Sequence, residues 1–404
     1  MNLKIQFSRL KTYSANRFAY ISYRPKKSDN NKPIIVFNIK KPHIYHRYLY
    51  TFIKFLHIEG YQIYFPKNFD QFRYITNSDI YLKLILKEHL VHFKSPGSEK
   101  VYLEFNDKNL SADYFSFLTD PDFQDSLLIP MTFHPLFYHK KFWNKPIKIG
   151  RRKRSIFMAG NFNEKTYSAI ENIPFKVKSR TEIYNFLLKN QLLSFYSSKS
   201  EFLNFLKGNC DNKCILSELP RGKPTRHPAE ESFLFDENPS VFKLSSKIEA
   251  SLGELNPKEI KRDNFSIPIE DLLNTLGSFN FYFACPGVII PFSHNIIEAM
   301  SAGSIPLIQH AYAEMLQPPL VNNKNAIVYK DFDDLQKKIE YCYNLPEDLL
   351  NEMNSNVLKY YNEHLTPQAV IQKIQKGNYK KFYLQAEFES AKLFRYELLR
   401  KNLK

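Results

Sequence analysis

An α/β fold in two Rossmann-like domains is what the sequence predicts, and three observations predict it. The chain has 404 residues, more than a single core usually organises. Hydrophobic residues make up 43% and aromatics 15%, against 24% charged, a balance that supports a large core rather than disorder. Short apolar, β-branched runs alternate with stretches of helical periodicity, the pattern of βαβ units around parallel sheets.

The first unit follows a basic, polar lead-in that ends at Lys32. Residues 33–39, PIIVFNI, form a run of the kind buried in a parallel sheet. The spacing of Tyr48, Phe52, Phe55 and Leu56 predicts a helix over 43–59, Gly60 stops it, and 61–65 reads as the next strand. Further strands are expected at 101–105 and 126–130. The basic stretch 140–154, with Pro146 and Gly150, sets a boundary near residue 148, so that 1–147 form the first domain and 148–378 the second.

The second domain restarts with a strand over 155–161, and helices are expected around 182–188 and 201–206. After a polar stretch over 211–242 the pattern resumes as helix 269–276, strand 279–285, helix 294–302 and strand 305–309. Residues 379–404 read as an amphipathic helix with Phe382, Leu384, Phe388, Phe394 and Leu398, packing back on the first domain rather than anchoring in a membrane.

The formal net charge is +16, from 57 Lys and Arg against 41 Asp and Glu, which favours a polyanionic partner. The cations are spread along the chain and no nucleic-acid-binding motif stands out, so the expected partners are phosphorylated small molecules or an anionic membrane surface and not nucleic acid. Cys210, Cys214, Cys285 and Cys342 are too few and too irregularly spaced for a disulfide framework or a four-ligand zinc site, and read as free thiols in a reducing compartment. The N-terminal segment lacks the apolar core of a signal peptide, and no run of about 18 residues is free of charge or strong polarity, so a membrane span is not expected.

The chemistry concentrates in 279–308, FNFYFACPGVIIPFSHNIIEAMSAGSIPLI. A strand ends at Cys285-Pro286-Gly287, a loop leads to a helix with Ser293 as its N-cap, and Gly303 ends that helix. A helix starting at the C-terminal edge of a parallel strand offers unpaired N–H groups and a positive dipole end, so a diphosphate is expected at Ser293, His294 and Asn295. At about 100° per residue Ile296, Ile297 and Met300 share one face, while His294, Asn295 and Glu298 lie roughly opposite, away from the core. Glu298, one turn in, is placed to accept hydrogen bonds from both hydroxyls of a ribose.

The run 293–308 resembles the donor-binding signature of GT-B glycosyltransferases, Glu-Ala-Met/Leu-x-x-Gly-x-Ile/Val-Pro-Val/Leu-Ile, and with Cys285-Pro286-Gly287 ahead of it resembles exostosin-like enzymes. The stretches 325–329 and 331–335 are similar to the usual end of that domain. The chain departs from the pattern at Ile290, where many retaining members carry a first Glu, and at His294-Asn295, where exostosin-like sequences often carry a basic residue. The resemblance implies the GT-B architecture, two Rossmann-like domains facing a cleft, with a nucleotide-sugar on the second and a glycan or lipid-linked acceptor on the first. It implies a cytoplasmic enzyme, peripheral to the inner membrane in one version, that works in lipopolysaccharide or capsule biosynthesis. No cofactor and no metal are expected, since Asp331-x-Asp333 falls in a donor-distal region.

Other residues carry two readings each. Gly160 and Asn161 resemble the turn that lets donor phosphates approach the backbone, or form an ordinary strand-to-helix turn. Arg221, Lys223, Arg226 and His227, in a loop shaped by Gly and Pro, suit a phosphate or acidic-sugar clamp, or a solvated loop. Arg151-Arg152-Lys153-Arg154 is either a solvated linker face or a surface for anionic lipid. Asp120, Asp122, His134 and Glu104 are the candidates for a catalytic base, each with a turn-forming or packing role as the alternative. The rival to the enzyme as a whole is a non-catalytic glycan- or lipid-docking protein that keeps the fold; the intact Ser293, Glu298 and Gly303 set favours the enzyme.

Overall fold

The structure is a computed structural model and describes residues 3–27, 29, 31–97, 100–120, 123–147, 150–159, 175–190, 192–194, 199–207, 216–219, 267–287 and 291–402. The chain divides into two compact units, Met1–Trp143 with Leu365–Lys404, and Asn144–His364.

The first unit opens with α1 (Leu3–Ser22), β1 (Ile34–Asn38), α2 (His46–Ile58), β2 (Gln62–Tyr64), α3 (Asn68–Thr76), α4 (Leu84–Lys87) and β3 (Val91–His92). It continues with β4 (Val101–Asn106), β5 (Leu110–Ser111), β6 (Ser126–Leu128) and α5 (Pro135–His139). Its main sheet is parallel, in the order β3-β2-β1-β4. Ile34, Ile35, Val36 and Phe37 of the central strand β1 are all buried, which is why the run is apolar without alternation. The Phe37 ring stacks on Phe65 and Phe105 with centroids 5.5 and 4.9 Å away and meets Phe52 nearly at right angles, arrangements that aromatic quadrupoles favour.

The second unit holds β7 (Lys153–Ala159), α6 (Arg180–Lys189), β8 (Leu193–Ser194), α7 (Lys199–Lys207), β9 (Leu216–Leu219), α8 (Ile269–Gly277) and β10 (Phe279–Phe283). It then runs through α9 (His294–Ser301), β11 (Ile305–Gln309), α10 (His310–Ala313), β12 (Ile327–Tyr329), α11 (Phe332–Asn344) and α12 (Glu347–His364). Its sheet is parallel throughout, in the order β12-β11-β10-β7-β9-β8. Every residue of β10 and β11 is buried, as befits central strands covered on both faces. Asp331 is the N-cap of α11, its carboxylate accepting the Asp334 N–H at 2.8 Å.

The chain returns to the first unit through α13 (Pro367–Lys376), β13 (Lys381–Tyr383) and α14 (Phe388–Asn402). α13 packs on α2, and Gln375 Nε2 donates to the Tyr61 hydroxyl at 2.8 Å. β13 lies between β5 and β6 in a second parallel sheet.

These facts change two expectations. The units exchange chain at 143/144 and 364/365, against sequence-derived divisions near 148 and 378, and the tail over 379–404 begins as a strand rather than as one helix. Three residues, Lys381–Tyr383, are too few for a period of two to show against a helical one. Phe388, expected on the packing face, is exposed.

The basic run 151–154 is also corrected, since its central residues are built into the unit. Arg152 donates to Gly277 O, Phe279 O and Ala302 O at 2.8, 3.4 and 2.7 Å, and burial pushes its guanidinium down to about 10. Lys153 is buried in β7, and Arg154 donates to Leu345 O at 2.6 Å and pairs with Glu347 at 2.6 Å. Gly277 and Ala302 end α8 and α9, where unpaired carbonyls and the negative dipole end attract a cation.

Candidate functional site

Open parallel sheets take ligands at the carboxyl ends of the strands where the order of connection reverses. In the second unit that point lies between β7 and β10. Beyond β10 the Gly287 N–H bonds Pro291 O at 2.8 Å and the chain enters α9. Ser293 stands at the N-cap with extended backbone, but its hydroxyl makes no cap bond. Its N–H donates instead to the Tyr312 hydroxyl at 2.9 Å. Tyr312 is fully buried, and burial pushes its phenol well above the usual range, so it remains a neutral hydroxyl.

The far end of α9 is fixed by Gly303, whose φ is +76°. Its N–H bonds Met300 O at 2.9 Å and the Ser304 N–H bonds Ala299 O at 3.0 Å, the paired bonds of a left-handed glycine cap. Asn354 Nδ2 donates to Gly303 O at 2.7 Å. The outward face expected for Asn295 and Glu298 does not form: they are 8% and 0% exposed, and His294 is half-buried. α9 packs against α8, α12 and β11, and a period of 3.6 residues gives the angle between side chains, not how many neighbours wrap the helix.

Arg180 is a residue that neither motif nor composition singles out. α6 opens with a capping box in which Ser179 Oγ accepts from the Glu182 N–H at 3.1 Å and Glu182 Oε2 from the Ser179 N–H at 2.7 Å. The Ser179-Arg-Thr-Glu182 spelling is the one signal in the sequence that places Arg180 in a first helical turn. There it is 4% exposed, and its Nε–H donates to Pro286 O at 3.0 Å. Gln309, at the end of β11, clamps the preceding backbone, donating to Lys178 O at 2.9 Å and accepting from Lys178 N–H at 2.6 Å. The Arg180 charge opposes the burial that raises the Tyr312 phenol. Two helix N-termini, a buried guanidinium and a neutral hydroxyl therefore gather beyond β10 and β11, a field that suits a diphosphate.

In the first unit the order reverses between β1 and β4. Glu104, on β4, is exposed and accepts from Asn38 Nδ2 at 3.0 Å. The chain leaving β1 enters α2 at His46, whose φ is +48°. His46 Nδ1 lies 3.1 Å from Asp79 Oδ2, and Asp79 Oδ1 accepts the N–H groups of Tyr81 and Leu82 at 2.7 and 3.0 Å. The bond to Asp79 raises His46 above the ordinary histidine value. Burial pushes Asp79 upward, but the bonds from His46, Leu82 and Tyr81 outweigh it and hold the carboxyl low.

Arg47 pairs with Glu387 at 2.5 Å and lies over the Tyr81 ring at 5.3 Å, and Tyr81 meets His134 edge-on at 4.9 Å. Glu387, like His46, has a positive φ, 38°, and non-glycine residues held in that sparse region cluster at functional sites. Within this group His134 Nδ1 accepts from the Leu136 N–H at 3.4 Å as the cap of α5. Of these two, His46 is the one whose Nδ1 is held by a carboxylate, as His139 Nδ1 is by Glu88 elsewhere in the unit, an arrangement that orients a ring for proton transfer at Nε2.

Asp120 sits in an exposed turn closed by its N–H on Ser116 O at 2.9 Å. Asp122, Gly160, Asn161, Arg221, Lys223, Arg226 and His227 lie outside the described residues. Among the described residues no group of three His, Cys, Asp or Glu side chains could hold a metal ion, and no helix is long and apolar enough to cross a membrane.

The fold and site together define a protein of two Rossmann-like units with a cationic edge on the second sheet. No family model matches the chain, and no curated protein matches it by sequence. Solved structures similar to it include HepE of Anabaena in complex with UDP and glucose, at 12% identity and a TM-score of 0.37, covering 86% of this chain and 99% of that one. A glycosyltransferase of Rickettsia africae shows 12% identity, a TM-score of 0.37 and coverage of 86% and 97%. Sucrose-phosphate synthase of Thermosynechococcus elongatus shows 11% identity, a TM-score of 0.38 and coverage of 92% and 100%. These likenesses assign no residue.

Proposed function

We propose that the chain is a glycosyltransferase of the GT-B class, exostosin-like in its donor motif, which moves a sugar from a nucleoside diphosphate to a glycan or lipid-linked acceptor. One observation carries the reading: buried Arg180 stands with the N-termini of α6 and α9 where the strand order of the second sheet reverses. The departing nucleoside diphosphate leaves with the electron pair of the broken sugar–oxygen bond, and Arg180 and the two helix ends meet that charge without a divalent cation. Glu298 is assigned to the ribose on its place in the motif. His46, oriented by Asp79, is assigned to take the acceptor hydroxyl's proton. The setting proposed is bacterial lipopolysaccharide or capsule assembly at the inner face of the membrane.

Calorimetric titration with a panel of nucleotides tests the reading. One nucleoside diphosphate is expected to bind, and Arg180→Ala should weaken it more than about tenfold, the worth of a charge-assisted contact of roughly 1.5–3 kcal/mol, while the free nucleoside is unaffected. Binding of no nucleotide by the parent chain would refute it.

A further inference from the structure

One edge of α1 is fixed to the first unit. Asn16 Nδ2 donates to Asn77 Oδ1 at 3.2 Å, and Tyr13 and Tyr20 meet Phe69 with centroids 5.3 and 5.5 Å away. Away from that edge stand Leu10, Phe18 and Ile21, which are 62, 74 and 61% exposed. At about 100° per residue these three fall within about 80° of arc, with Ser14 between them; Lys11 borders it on one side, and Arg17, on the other, lies over the Phe69 ring at 5.0 Å. The helix is thus apolar on two sides, and only one of them meets the first unit. A soluble surface helix ordinarily turns a polar face outward.

The charge along it is of one sign. Residues 1–28 hold seven Lys and Arg and no Asp or Glu. Two copies of this helix packed against each other would bring those cations together, whereas an anionic lipid surface meets both the apolar arc and its basic borders.

We propose that α1 docks the protein on an anionic bilayer, lying in the plane of the interface with Leu10, Phe18 and Ile21 among the acyl chains and Lys11 at the phosphates. From Leu10 to Ile21 the arc runs about 16 Å along the helix, three turns, long enough for the contacts to act together. The proposal stands apart from sugar transfer, since it rests on exposure and charge in a different element from those that carry the chemistry.

Co-sedimentation of the full chain with vesicles tests it. The chain should pellet with mixed phosphatidylglycerol–phosphatidylcholine vesicles, stay in solution with pure phosphatidylcholine, and detach as salt is raised. Leu10→Ser with Phe18→Ser should lower partition tenfold or more, and Lys11→Gln about fivefold. An unchanged melting temperature and helix content in both variants shows that the loss is one of docking. A parent that ignores anionic vesicles, or a double serine variant that pellets as well as the parent, overturns the proposal. So does a parent that self-associates without lipid while the double variant is monomeric, because the face is then an interface between copies.

Discussion

Gly303→Ala should destabilise the second unit well beyond an ordinary surface change, through two separable costs. Holding a residue with a Cβ at a left-handed backbone position costs about 1–2 kcal/mol, and Gly303 has φ +76°. The added Cβ would also stand 2.6 Å from Arg152 Nη2 and 3.1 Å from Leu358 Cγ. The guanidinium cannot retreat without loosening its bonds to Ala302 O and Gly277 O, and losing one such charge-assisted bond costs about 1.5–3 kcal/mol. The sum is about 2.5–5 kcal/mol, which for a unit of about two hundred residues lowers the melting temperature by about 5–20 °C. Scanning calorimetry on a double-mutant cycle with Arg152→Ala separates the two costs, following the transition that Arg152→Ala shifts by itself. With Arg152 gone, Gly303→Ala should cost only its backbone share, leaving a coupling of about 1.5–3 kcal/mol. Equal costs in both backgrounds would show that the guanidinium is not held against the glycine, and the account of how α9 is anchored would fail.

Three further outcomes are expected. Glu88 accepts from the Tyr50 hydroxyl, the Lys54 ammonium and His139, so Glu88→Gln leaves Lys54, 7% exposed, without its counter-ion and should cost the first unit about 3–5 kcal/mol; a loss under about 1 kcal/mol, as for a surface pair, would contradict this. Burial alone would raise the Glu88 carboxyl, but the bonds from His139, Lys54 and Tyr50 hold it low. The stability it contributes is therefore present above the unfolded value of about 4.3 and lost as pH falls through the lower folded value, and an acid limb identical in parent and Glu88→Gln would speak against it. For transfer, the acidic limb of the rate should lie above the ordinary histidine value, because the Asp79 bond raises His46, with Glu387 adding to the rise and burial and Arg47 opposing it; Asp79→Asn should cut turnover and move that limb to lower pH, and a limb that stays in place removes His46 from the chemistry. Turnover should persist in EDTA; its loss, restored by magnesium or manganese, would overturn the metal-independent reading.

Much of the second sheet was legible in advance. The aromatic run of β10, the Ile-Pro-Leu-Ile of β11 and the helix between them follow from local spacing, because a strand buried on both faces is apolar whatever its neighbours are. Gly303 was legible too, since a glycine after the last periodic residue is a local stop signal. Glu298 was legible as a position and misread as a surface, for its burial depends on α8 and α12, which the period of α9 does not report.

The partners of the buried polar groups were not legible. His46 meets Asp79 across 33 residues and Arg180 meets Pro286 across 106, and the basic run at 151–154 reads as solvated until the ends of α8, α9 and α11 are brought to it. The sequence by itself determined most strands and helices of the two main sheets and what charge the chain carries, because propensity, periodicity and caps act within a few residues, but it left α1 in a polar lead-in, β9 in a polar stretch and β13 in a helix. Only the tertiary structure decided which carbonyl receives which cation and which faces are buried, because hydrogen bonding and burial are sums over neighbours that the chain brings together from far apart.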